Sequence, residues 1–232
     1  MTIAIGINFG AYVLLAADTR TTYHDWKGGV VGFKDNSIKI QRTYIGLITG
    51  AGSVELLDVV KRRLKEEGPK DTNHVLNIIR EERRLYQKPL SSLEQHLIEN
   101  TGWIFSYLTV NPENYVLRLA MYHPRFGDDL GLFADNDPAI IFPQEATEED
   151  AKLIGDFLKE SIKPFGQFES LAASFEFHWP IITKLIRAIQ PRFPSINSSL
   201  QIGVHTAEHL TGITRIVKGT DETISLNLTA GL

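Results

Sequence analysis

The stretch that decides the fold is TIAIGINFGAYVLLAADTRTT, residues 2–22. Two apolar, β-prone runs, 2–8 and 12–17, flank Phe9-Gly10-Ala11, and this pattern predicts a hairpin. The second run closes on Asp18-Thr19-Arg20-Thr21-Thr22, a charged and hydroxyl-rich segment. A secretory signal would also be apolar here. However, no basic segment precedes residues 3–17, Asn8 and Gly10 interrupt them, and Asp18 and Arg20 end them, so the stretch reads as mature protein. No other run approaches the ~20 apolar residues of a membrane span, and no membrane partner is expected.

The rest of the chain continues in blocks. A polar loop is expected over residues 23–32, then a second hairpin from residues 37–41 and 44–49 around Arg42-Thr43. Gly50-Ala51-Gly52 ends the last strand, and Ser53 is a good N-cap for the helix that follows. Val54, Leu57, Val60 and Leu64 lie near one face of that helix. A second helix over residues 73–86 buries Val75, Ile78, Ile79 and Leu85 beneath a charged outer face. Strands are expected over 103–110 and 115–122, across the turn Asn111-Pro112-Glu113-Asn114, and over 139–142. Helices follow over 148–162 and 168–189, the first with acidic residues suited to a helix N-terminus. Strands over 200–204, 211–218 and 223–227 close the chain. Runs of strands and pairs of helices, without βαβ alternation, indicate segregated α+β layers.

The 232 residues, 43% hydrophobic and 22% charged, suit one compact domain over 1–232. The net charge of −4 is spread along the chain. Lys61-Arg62-Arg63 and the arginines of 80–84 are interleaved with Glu on helices, so a nucleic-acid partner is not suggested. With no cysteine, disulfides, thiolate nucleophiles and cysteine zinc sites are excluded. A cytoplasmic location is the expectation.

Loss of Met1, which methionine aminopeptidase removes before a residue as small as threonine, makes Thr2 the first residue. Its free α-amine has an intrinsic pKa of ~7.7 to 8.0 and can act as base for its own hydroxyl. Such a site needs a cation to lower the pKa values, a carboxylate to hold the cation, and an amide to stabilise an oxyanion. Asp18, Lys39 and the backbone N–H of Gly50 are the candidates. Lys34 is the alternative lysine; Lys39 is preferred because Ile38-Lys39-Ile40 is strand-like and its distance to Gly50 suits a short hairpin.

In order and spacing these pieces resemble the proteasome β-subunits, the HslV peptidase and the Anbu-type subunits. The shared features are an initial Thr, an Ala-Asp-x-Arg-x-Thr segment, a Lys before a β-branched residue, and a Gly-rich turn entering the first helix. The resemblance covers about the first 65 residues in motif detail. It implies a four-layer αββα sandwich of the N-terminal-nucleophile hydrolases, with Thr2 as nucleophile, Asp18 and Lys39 as the charged pair and Gly50 as oxyanion donor. It further implies that Arg20 supports the site and that Thr22 and Ala51 help bind an extended peptide. It implies a peptide or unfolded-protein substrate, a homo-oligomeric ring and no cofactor, with an unfoldase partner left open. The Gly-Ser-Gly segment that brings a supporting serine in those relatives has no counterpart between Leu130 and Glu145.

Other readings were weighed. Asp18 and Arg20 can form a buried ion pair that fixes the sheet. Gly50 and Gly52 can simply permit a tight turn. His205 and His209 are four apart, but their surroundings read as a turn between strands with no third ligand, so no metal is expected. Trp26, Trp103 and Trp179 read as core or interface anchors. The same nucleophile acting on a small amide or in acyl transfer, and a non-catalytic subunit retaining Met1, are the competing functions.

Overall fold

The first hairpin forms as its sequence dictates. Strands β1 (Ala4–Asn8) and β2 (Tyr12–Asp18) pair antiparallel, with Ala4 opposite Ala17 and Asn8 opposite Val13. All residues of both strands are buried, which explains why the runs are continuously apolar. The computed structural model of the chain describes residues 2–25, 29–86, 92–111, 114–208 and 213–217.

Among these residues the strands and helices are mixed α/β with antiparallel sheets. After the hairpin come β3 (Thr21–His24), β4 (Val30–Lys34), β5 (Gln41–Arg42) and β6 (Leu47–Ala51), then helices α1 (Val54–Glu67), α2 (Thr72–Leu85) and α3 (Ser92–Glu99). Strands β7 (Gly102–Asn111), β8 (Asn114–Tyr122), β9 (Leu130–Phe133) and β10 (Pro138–Ile141) follow, then α4 (Glu148–Ser161), α5 (Leu171–Ile189), β11 (Leu200–Thr206) and β12 (Ile213–Val217). One sheet has the order β10-β1-β2-β11-β12, a second β5-β6-β7-β8-β9, and β3 pairs only with β4.

Three apolar clusters organise these elements. In the first, Ile5, Leu14 and Ile202 of the β1 sheet meet Leu158 of α4 and Phe175, Trp179 and Ile186 of α5. In the second, Trp103 and Phe105 of β7 meet Leu56 and Val60 of α1 and Ile78 and Ile79 of α2. The third joins Val13, Leu15 and Ala17 of one sheet to Leu47, Ile104 and Leu119 of the other. Each large side chain so buried stabilises the fold by about 1.5–3 kcal/mol before the entropy of ordering it is subtracted.

Local signals explain most element ends. Ser53 Oγ accepts from the Leu56 N–H, and Gly68 closes α1 with a left-handed φ of 58°. Thr147 and Asp150 form a reciprocal capping box at α4. Several expectations are corrected. The polar 23–32 segment carries part of a two-stranded ribbon, in which Tyr23 pairs with Gly32 and His24 with Val30. The second hairpin shrinks to β5 and β6, since Thr43 turns the chain by bonding Gly46 through both its N–H and its hydroxyl. Val54 and Leu85 are exposed, whereas Lys61 is buried on α1 and Glu82 on α2. Helix α3 and strand β9 were not expected. Trp103 and Trp179 are core residues, while Trp26 and the 223–227 strand lie outside the described residues.

Candidate active site

Thr2 precedes β1 and is buried, its hydroxyl donating to the Arg20 carbonyl at 3.4 Å. Asp18 ends β2, directly beside it in the hairpin, and its carboxylate works as a backbone clamp. Oδ1 accepts from the Ile3 N–H at 3.0 Å; Oδ2 accepts from the Arg20 N–H at 2.8 Å and the Asn197 N–H at 3.4 Å. Three donors on a fully buried carboxylate replace lost water. Burial nevertheless pushes the Asp18 carboxyl up to about 7, against the pull of the Lys39 charge and these N–H groups.

Lys39 is buried, and Lys34, opposite Thr21 on the exposed ribbon, is not. The Lys39 ammonium donates to Thr21 Oγ1 at 3.0 Å, and the Thr21 hydroxyl donates to Ser37 Oγ at 2.9 Å. Burial pushes Lys39 down, with Asp18 and then Asp58 pulling it back. Lys39 lies in no strand. Its N–H and that of Ile40 both donate to Gln201 Oε1, at 2.6 and 2.8 Å, and Gln201 Nε2 donates to the Ile40 carbonyl at 3.0 Å.

Thr2, Thr21, Lys39 and Gly52 line one cleft, walled by Val54, Leu57 and Leu97 and reached past Arg20, Thr22 and His24. Gly50 and Ala51 do not line it. Gly50 lies inside β6 opposite Trp103, where a Cβ would come within 2.6 Å of the Gly102 carbonyl and 2.7 Å of Leu57. Ala51 points into the core between the sheets. The residue of the turn that faces Thr2 is Gly52, with φ of 129° and Thr101 packed where a side chain would begin. The Thr101 hydroxyl in turn accepts from the Ser53 N–H at 2.9 Å.

Arg20 does not pair with Asp18 through its side chain. Its guanidinium makes a two-pronged contact with Asp35, at 2.8 and 3.1 Å, donates to the Pro194 carbonyl and lies 4.5 Å from the Phe33 ring centroid. The Thr22 hydroxyl donates to the Ser195 carbonyl at 3.4 Å. Thr21, Gln201 and Asn197 are not among the residues the sequence singles out, and Gly52 is read there only as a turn residue; Thr21 stands between Arg20 and Thr22, which also line the cleft, whereas Gln201 and Asn197 carry no local signal. His205 lies within β11 and bonds Ser106, not in a turn, and His209 falls outside the described residues.

Chemically, the cleft offers the Thr2 hydroxyl, the Lys39 ammonium and a glycine turn, with the Asp18 carboxylate buried behind them. That is a set able to activate a nucleophile and receive developing negative charge.

No protein-family model matches the sequence, and no curated protein matches it. Solved structures do. A structure of Anbu from Hyphomicrobium sp. strain MC1 superposes with a TM-score of 0.65 at 14% identity, over 95% of this chain and 89% of that one. A Gly-1 mutant of Anbu from the same strain gives 0.64 at 14% identity, over 96% and 89%. The chain thus has the Anbu-like, proteasome-type fold that its first 65 residues led us to expect.

Proposed function

We propose that the chain is a threonine-type N-terminal-nucleophile hydrolase that cleaves peptide bonds. One observation supports the reading: Thr2 and Lys39 line one cleft beside Gly52, and the buried Asp18 behind them feels the Lys39 charge and accepts from the Ile3 N–H next to Thr2. Once Met1 is removed, the Thr2 α-amine takes the hydroxyl proton as Oγ1 attacks the substrate carbonyl. The amine then gives that proton to the departing nitrogen, and water hydrolyses the resulting ester. Lys39 favours the unprotonated amine, and Asp18 holds the residues on either side of Thr2 in register. The Gly52 N–H, in place of that of Gly50, is assigned to the oxyanion.

An extended peptide would lie along the free edge of β3 at Thr21 and Thr22, opposite the Gly52 turn. Val54, Leu57 and Leu97 then suit an aliphatic side chain before the cleaved bond. Two helix-covered sheets stacked as four αββα layers in a single domain, assembly into a homo-oligomeric ring and a cytoplasmic location complete the proposal. No helix among the described residues is long and apolar enough to cross a membrane.

The deciding experiment is an intact-protein mass spectrum before and after an electrophilic proteasome-type inhibitor. Loss of Met1 with one adduct, absent in Thr2→Ala, supports the reading. Retained Met1 with no adduct supports a non-catalytic subunit. An adduct without peptide cleavage points to a small amide or acyl transfer.

A further inference from the structure

Lys61 is a charged residue on the apolar face of α1, four residues after Leu57 and three before Leu64, and it is buried to 4% exposure. Its ammonium donates to the Lys39 carbonyl at 2.9 Å. Residues 37–40 belong to no strand, so the backbone carrying Lys39 is fastened by two side chains, Gln201 from β11 and Lys61 from α1. A neutral amide would fasten a carbonyl without the desolvation cost of an ammonium. The charge is also placed where the strongest electrostatic influence on it, after burial, is another cation. Around Lys61 stand Lys39 from the 37–40 segment, Asp58 from its own helix and, beyond Lys39, Asp18 from β2. Burial and the Lys39 charge push the Lys61 ammonium down to about 8, with Asp58 opposing.

We propose that Lys61 is a second buried cation of the Thr2 site, a positioning residue that anchors the Lys39 backbone and adds positive potential behind the Lys39 ammonium. The inference rests on the reading of the cleft as a nucleophile site. The mechanism is electrostatic: the Lys39 charge makes Lys61 the easier of the two to deprotonate, and while Lys61 is charged its potential disfavours a protonated amine on Thr2. A merely structural lysine would act through the hydrogen bond alone.

The test compares wild type with Lys61→Gln, which keeps a donor for the Lys39 carbonyl but no charge, and with Lys61→Met, which keeps neither. Two readouts are taken: titration of the Lys61 side chain by NMR on lysine labelled with carbon-13 at Cε, assigned by its loss in Lys61→Gln and repeated in Lys39→Met, and the pH profile of Thr2 labelling by the electrophile. In Lys39→Met, Lys61 is expected to titrate about one pH unit higher, and in Lys61→Gln the rising limb of the labelling profile is expected to move to higher pH. In Lys61→Met the maximal labelling rate falls about tenfold further, through the lost anchor. A labelling limb unmoved in Lys61→Gln overturns the proposal. A wild-type protein that labels nowhere overturns the nucleophile reading instead, while the Lys61 titration in Lys39→Met still decides whether the two lysines share one electrostatic corner. If Lys61→Met does not fold, Lys61→Gln carries the comparison.

Discussion

Two buried polar clusters lie between or beside the sheets, and they differ in what surrounds them. At one end of β2, Thr2 and Lys39 face a cleft, with Asp18 buried behind them. At the other end, opposite Val13, His205 of β11 accepts or shares a hydrogen bond with Ser106 of β7 at 2.8 Å. Ser106 and His205 stand at the distance of a nucleophile and its base, yet both are fully buried and His205 Nε2 has no hydrogen-bond partner among the described residues. Burial alone pushes His205 down to about 4, so the ring is neutral at physiological pH. At the Thr2 end, burial acts on a carboxylate and an ammonium in opposite senses while their mutual attraction resists both shifts. A reactive site requires access and compensated charge together; distance between a hydroxyl and a base is insufficient.

The sharpest way to break this contrast is Thr2→Ala, expected to abolish inhibitor labelling and to lower peptide cleavage by at least ~10³-fold, in the range of lost covalent catalysis. Ser106→Ala should leave both unchanged. Cleavage surviving in Thr2→Ala and vanishing in Ser106→Ala would invert the assignment. Next, Lys39→Met should cost on the order of 10²-fold in labelling rate, with Lys34→Met near wild type.

Acidity separates the clusters further. His205 has a folded pKa below its unfolded value, so its contribution to stability is complete above ~6.5 and is lost as pH falls towards 4. His205→Leu should therefore flatten the acid decline of folding free energy between pH 6.5 and 4 by about 2 kcal/mol, measured by urea unfolding at several pH values. Asp18 behaves oppositely. Its folded value near 7 lies above the unfolded one, so its contribution favours the fold at low pH and fades as pH rises through 7. The ionised carboxylate is the form that supports Lys39, and labelling should rise up to about tenfold per pH unit approaching 7, with Asp18→Asn removing that limb. The smallest effect is the stability cost of Ser106→Ala, about 1 kcal/mol, because the Leu47 N–H loses its acceptor.

The sequence made the hairpins at either end of the β-rich blocks legible, since their apolar runs and turns are local. Thr2 and Asp18 were legible from their places beside and at the end of an apolar strand, whereas Lys39 is preferred for a strand-like neighbourhood that it does not have, since residues 37–40 lie in no strand. What escaped depends on partners far along the chain. Lys61 shares the apolar face of α1 with Leu57 and Leu64, and its partner there, the Lys39 carbonyl, lies 22 residues back in the chain. Gly50 and Gly52 share a three-residue turn, and only the packing of Trp103 and Thr101 tells which of them faces the cleft. The ribbon of β3 and β4 was hidden by its polar tip, because composition there reports the turn and not the pairing.

The Gln201 clamp on residues 39 and 40 has one more consequence. Because residues 39 and 40 hang from a side chain 162 and 161 positions along the chain, the place of the Lys39 ammonium is set by β11 and needs no strand partner of its own.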